Sequence, residues 1–139
     1  MMFWPESGRY WTKHALSRAN FYWGFLAIGM MAGVTWAGAQ PFAVGMFAEP
    51  WDKVAHMVLF GSLAFVVGMA FCPDWKHGWR WALVVALLFA GFDEVRQIWL
   101  PGRVAAWGDF LADAVGAGLG IVAAECFKRA RKWLTSQTI

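Results

Sequence analysis

"WRWALVVALLFAGFDEVRQIWLPGR", Trp79 to Arg103, is the stretch whose reading decides the fold. Its first thirteen residues hold one charge, Arg80, and then Asp93, Glu94, Arg96 and Gln97 arrive before the apolar run is long enough to cross a bilayer. Such a segment is either leaving the membrane early or turning its charges toward other helices. The rest of the chain decides between these.

Hydrophobic residues are 60% of the 139, aromatic residues 18%, and charged residues only 15%, with eleven tryptophans. That is too apolar for a water-facing surface on a chain of this size. A hydrocarbon core of about 30 Å needs about 20 mostly apolar helical residues. Four segments approach this: Phe21 to Ala39, Val54 to Cys72, Trp79 to Leu100, and Ala105 to Phe127. The expected architecture is all-α, an integral membrane bundle of four transmembrane helices forming one domain over residues 1–139. Ala37-Gly38-Ala39 is a pattern that signal peptidase accepts, but the preceding apolar run is long for a signal peptide, so the first helix is expected to be retained.

Basic residues set the orientation. Arg9, Lys13, Arg18, Lys76, Arg80, Lys128, Arg129, Arg131 and Lys132 fall on one side, against Lys53, Arg96 and Arg103 on the other. The positive-inside rule then places both termini in the cytosol, as a multi-pass protein of the bacterial cytoplasmic (inner) membrane. The net charge of +3 is therefore a topological signal and gives no reason to expect a nucleic-acid partner. Trp51, Trp99 and Trp107 flank the outer ends, and Trp75, Trp79, Trp81 and Trp133 the inner ones, as indole rings prefer the interface. The arm "SGRYWTKHALSRAN" reads either as an amphipathic segment on the inner leaflet or as a flexible arm. Cys72 and Cys126 both fall near the cytosol, where small buried hydrophobes are expected and a disulfide is not.

The connections are short. "PGR" makes a tight turn, with Pro101 setting one dihedral and Gly102 permitting another, so neighbouring helices run antiparallel. Asp52, His56 and Phe60 follow at four-residue spacing on the second span, and Lys53 lies three before His56. At about 1.5 Å per residue Asp93 stands about 21 Å above Trp79, while Asp109 and Asp113 lie about 6 and 12 Å below Ala105. Three helices thus bring ionisable groups to the outer half of the membrane. An acid near a helix centre costs roughly 2.5–3.5 kcal/mol on insertion scales, so such groups need partners or a wet cavity. Ala112, Gly116 and Gly120 form a small-xxx-small stripe that lets a neighbouring helix come close.

"DKVAHMVLF", "DEVRQIWLPGR" and "DFLADAVGAGLG" in this order resemble the signature of the VanZ-like proteins, small bacterial membrane proteins named for an accessory factor in glycopeptide resistance. The matching positions are Asp52, Lys53, His56 and Phe60, then Asp93, Glu94, Gln97, Pro101, Gly102 and Arg103, then Asp109, Ala112, Gly116 and Gly120. The resemblance covers about residues 50 to 120. It departs at Asp113, where the family pattern most often has asparagine, whose hydrogen-bond donation a carboxyl can imitate only when protonated. The resemblance implies an envelope protein associated with lowered susceptibility to teicoplanin.

Ion pairs that merely hold helices together need one or two acids and a cation, whereas five acids, one imidazole and three cations meet near one depth here. In a binding role, Asp52, Lys53, Gln97, Arg103, Asp109 and Asp113 surround an anionic lipid or lipid-linked precursor. Lys53 and Arg103 take its phosphate or carboxylate. In an enzymatic role on a lipid phosphate, His56 is the general base and Asp93 or Glu94 its orienting acid, although no nucleophile is evident. A third role is proton-coupled movement of a lipid or solute through His56 and the acids, for which four spans are few unless the chain forms a homo-oligomer. His56 with two carboxylates is a conceivable metal ligand set, but no compact H-x-x-x-H motif accompanies it, so neither metal nor cofactor is expected.

Overall fold

The computed structural model describes residues 7–71 and 77–137, with side chains from residue 18 onward. Cys72, Trp75 and Lys76, and the side chains of Arg9, Tyr10, Trp11 and Lys13, lie outside the described residues. Every regular element among the described residues is helical: α1 (Ser7–Gly38), a 3-10 turn (Pro41–Ala43), α2 (Trp51–Ala70), α3 (Gly78–Gln97) and α4 (Trp107–Ser136). Three of the helices are long and apolar enough to cross a membrane: α1 from Arg18 to Gly38, α2, and α4. α3 equals α2 in length at 20 residues, but it carries Arg80, Asp93, Glu94 and Arg96.

The helix ends follow local chemistry. α1 runs unbroken from Ser7, so the N-terminal arm is helical and continuous with the first apolar segment instead of a separate element. α2 begins at Trp51, which places Asp52 and Lys53 within its first turn. α3 ends at Gln97 with Ile98 still in the helical region, and Leu100, before Pro101, is biased out of it, so the helix does not resume. Gly102 then takes a positive φ of 76°, and the Arg103 N–H donates to the Leu100 carbonyl to close the turn. α4 continues through the basic tail to Ser136, about nine residues beyond the apolar segment, with Lys128 held to Glu125 at 2.8 Å.

α2 is the hub, touching α1, α3 and most extensively α4. The α2–α4 contact is backbone against backbone. A Cβ added at Gly116 would collide with the Met57 carbonyl, and one at Gly120 with the carbonyl of Gly61. Only glycine permits so close an approach, which replaces a hydrophobic driving force that lipid cannot supply. Phe60 and Leu63 fill the space beside it, with Phe60 tilted against Phe89 at 5.8 Å between ring centroids.

α3 presents small residues to this core. Ala82, Ala86 and Ala90, one every four residues, are fully buried. The same face continues into Asp93, Glu94 and Gln97, also buried, while Leu88, Phe92, Val95 and Ile98 face outward. The helix is therefore inverted relative to a soluble one, with its charged end inside and its large apolar residues outside. Exposed tryptophans mark both ends of the bundle, Trp51, Trp99 and Trp107 at one and Trp79, Trp81 and Trp133 at the other. Cys126 is a free thiol on the exposed face of α4, a position that corrects the expectation of a buried one.

The two kinds of glycine on α4 should separate in a stability measurement. Gly116→Ala is expected to destabilise by about 1–3 kcal/mol, because its methyl meets fixed backbone. Gly118→Ala, which has nothing within 4 Å of the new Cβ, should be neutral or gain up to about 1 kcal/mol from helix propensity. Thermal unfolding of both variants in detergent checks this.

Candidate functional site

The polar residues meet at one end of the bundle. α2 contributes Asp52, Lys53 and His56 from its first turns, α3 contributes Asp93, Glu94, Arg96 and Gln97 from its last, and α4 contributes Asp109 and Asp113 from its first. Antiparallel neighbours joined by short turns make these three ends coincide. The C-terminal end of α1 closes the fourth side through its backbone carbonyls.

Four side chains, His56, Arg96, Gln97 and Lys53, organise the site through their partners. His56 Nδ1 lies 2.8 Å from Asp113 Oδ1, and Asp113 is 0% exposed. Arg96 donates from Nη2 to Asp93 Oδ1 at 2.6 Å and from Nη1 to the Thr35 carbonyl at 2.9 Å. Gln97 Nε2 donates to the other Asp93 oxygen at 3.1 Å. Lys53 Nζ pairs with Glu49 at 2.6 Å and Asp52 at 3.4 Å, with Asp109 at 4.0 Å.

Contacts at this end also finish two helices. The last carbonyls of a helix lack intrahelical donors. On α1 the Thr35 carbonyl is met by Arg96 and that of Gly38 by Arg103 Nη2, at 3.3 Å, placing cations where the helix dipole is negative. A side chain at position 38 would meet the Arg96 guanidinium at 2.8 Å, so glycine makes room for it. α4 begins without a side-chain cap of its own. Instead Glu94 Oε2 accepts from the Ala106 N–H at 3.0 Å, a carboxylate on a helix N-terminus.

Beside the cluster lies a cavity of about 460 Å³. Asp52, His56, Asp93, Gln97 and Arg103 form its polar side, and Met30, Val34, Phe42, Phe47 and Leu59 belong to its apolar wall. Lys53, Glu94, Asp109 and Asp113 stand outside this lining. Among the described residues, Arg103 Nε and Asp113 Oδ2 are buried atoms with no hydrogen-bond partner. Asp52 Oδ1 and Asp109 Oδ1 share that condition, although the latter is within ion-pair distance of Lys53. His56, Glu94 and Asp113 each offer one possible ligand atom, all within 4.8 Å of one another. They come from three helices, which is why no compact metal motif is visible along the chain.

All nine candidate residues read from the sequence gather at this end, but their pairing follows the geometry of the bundle. The acid on His56 is Asp113, whereas Asp93 is engaged by Arg96 and Gln97 and Glu94 by Ala106. Of the two proposed anion-binding cations, Arg103 lines the cavity, while Lys53 is drawn to carboxylates. Arg96, one of the three cations read at this depth, joins the site, as do Glu49 and the Thr35 carbonyl, which were not singled out for it. Arg96 is signalled by its three-residue spacing from Asp93, and Glu49 by its four-residue spacing from Lys53. A backbone carbonyl such as that of Thr35 leaves no trace in a sequence.

The VanZ/LLP1 family model matches residues 1–128, and the chain belongs to this family. No curated protein and no solved structure matches it.

Arg96→Ala is expected to cost about 3–5 kcal/mol, since it strands a buried carboxylate and leaves the Thr35 carbonyl without its donor. Adding Asp93→Asn should recover part of that loss, because the uncompensated charge is gone. A double-mutant cycle on unfolding in detergent measures the coupling.

Proposed function

We propose that this VanZ/LLP1 membrane protein binds an anionic lipid or lipid-linked envelope precursor in the cavity at the polar end of the bundle. The two-sided lining of the cavity carries the reading, with apolar residues from α1 and the following loop on one side and a cluster of ionisable groups on the other. Pockets for amphipathic ligands combine a predominantly apolar wall with a few convergent polar groups. The apolar wall takes the chain and Arg103 the headgroup, because a guanidinium offers five donors in a planar fork suited to phosphate or carboxylate. One of those donors is committed to the Gly38 carbonyl and the buried Nε has no partner among the described residues.

In this proposal all four helices cross the bacterial cytoplasmic membrane and both termini are cytosolic. The length of α3 supports four crossings, since 20 residues at about 1.5 Å each span about 30 Å. Its inward-facing charges explain why its composition falls short of an ordinary span. By sequence, nine of the twelve basic residues fall in the N-terminal arm, around the α2–α3 connection and in the C-terminal tail, which by the positive-inside rule supports an outer-leaflet cavity. Retention of an envelope precursor there is a physical route to altered glycopeptide susceptibility.

One contact favours a second, enzymatic reading. A histidine whose Nδ1 is fixed by a buried carboxylate is the arrangement of an oriented general base, and His56 also lines the cavity. Asp113 takes the orienting role in it, and the substrate is a lipid phosphate held by Arg103.

Native mass spectrometry of protein extracted from its own membrane tests the binding. Arg103→Ala should reduce the retained anionic lipid at least tenfold, and Arg103→Lys should keep part of it. Equal retention in wild type and Arg103→Ala, with both still folded and inserted, counts against the site. For the enzymatic reading, His56→Ala is expected to leave lipid retention intact and abolish turnover of isoprenoid phosphates or phospholipids. Wild-type protein that converts none of these leaves a binding protein.

A further inference from the structure

We propose that His56, Glu94 and Asp113 bind a divalent metal ion, with Zn2+ the best match to one imidazole and two carboxylates. The three side chains come from α2, α3 and α4 and are half-buried, buried and fully buried. Their ligand atoms lie within 4.8 Å of one another. Zn2+ holds nitrogen and oxygen ligands at about 2.0–2.2 Å, so the widest pair closes by about 1 Å around the ion.

Independent support comes from Asp113. Its Oδ1 is engaged with the imidazole, but Oδ2 is buried with no hydrogen-bond partner among the described residues. A carboxylate oxygen in that condition costs free energy unless an ion or donor meets it. The charge balance points the same way. Asp52, Asp93, Glu94, Asp109 and Asp113 are five carboxylates, whereas Lys53, Arg96 and Arg103 are three cations, each already bonded to protein oxygens. With Glu49 on Lys53 as well, the carboxylates outnumber the cations at this end, and a dication reduces the excess.

Three protein ligands leave a coordination position open, as in Zn2+ sites that also take water or substrate. His56 lines the cavity, so that position is the link between the ion and whatever occupies the cavity. The cation site itself stands without the lipid reading, because all three ligands belong to the protein.

The test is isothermal titration of the full chain with ZnCl2, in detergent after removal of lipid and chelation of bound metal. Wild type should bind one equivalent saturably. Glu94→Gln and Asp113→Asn, both isosteric, should each weaken binding at least tenfold. Glu125→Gln, on the opposite end of α4, should leave it unchanged. Circular dichroism and gel filtration report folding of each variant, and the unfolded ones are replaced by Glu94→Asp, which shortens the ligand arm and should also weaken binding. No saturable binding by wild type overturns the site, as does equal affinity in the Glu94→Gln/Asp113→Asn double variant. Since lipid is absent, this result is separate from that of the lipid-retention experiment.

Discussion

The contact between α2 and α4 governs the rest of the molecule. Gly116 lies against the backbone of Met57, and Gly120 against that of Gly61, with no room for a side chain at either glycine. His56 immediately precedes Met57, and Asp113 stands one turn before Gly116. Backbone approach at the glycines therefore brings the imidazole and the carboxylate to 2.8 Å. In lipid, where apolar side chains gain little by touching one another rather than acyl chains, this close packing is what can hold two helices in one rotation. A small shift of that rotation would separate the pair.

α3 joins α2 and α4 through its small residues. Its narrow alanine face sits against them beside Phe60 and Leu63, and its polar end extends from that face. Asp93, Glu94 and Gln97 are thus carried inward together. Burial obliges each to find a partner, since an unmatched charge at this depth costs several kcal/mol. The partners found are partly backbone: the end of α1 through Arg96, and the start of α4 through Glu94. The ionisable groups consequently do two jobs, finishing helices that lack caps of their own and lining a cavity.

The two jobs overlap in which atoms are engaged. Arg96 and Glu94 finish helix ends, yet Arg96 Nε, like Arg103 Nε and Asp113 Oδ2, is buried and has no hydrogen-bond partner among the described residues. Purely structural ion pairs would leave fewer such atoms, because each is a cost without a return inside the protein. The acids also exceed the cations, so the cluster holds charge that internal pairing does not absorb. Both features are the ones on which the proposed ligand site rests.

Much of this was legible along the chain. The helices, their antiparallel order, the "PGR" turn and the family to which the chain belongs follow from hydropathy, turn residues and three ordered motifs, all of which are local properties. The gathering of His56, Asp93 and Asp109 at one end also followed, from rise per residue and short connections. Partner choice did not. Whether His56 meets Asp93, Glu94 or Asp113 depends on the rotation of each helix about its axis, and that rotation is fixed by glycine contacts between helices distant in sequence. The use of the Thr35, Gly38 and Ala106 backbone groups is equally a matter of folding, since every residue but proline carries the same donor and acceptor and only position distinguishes them.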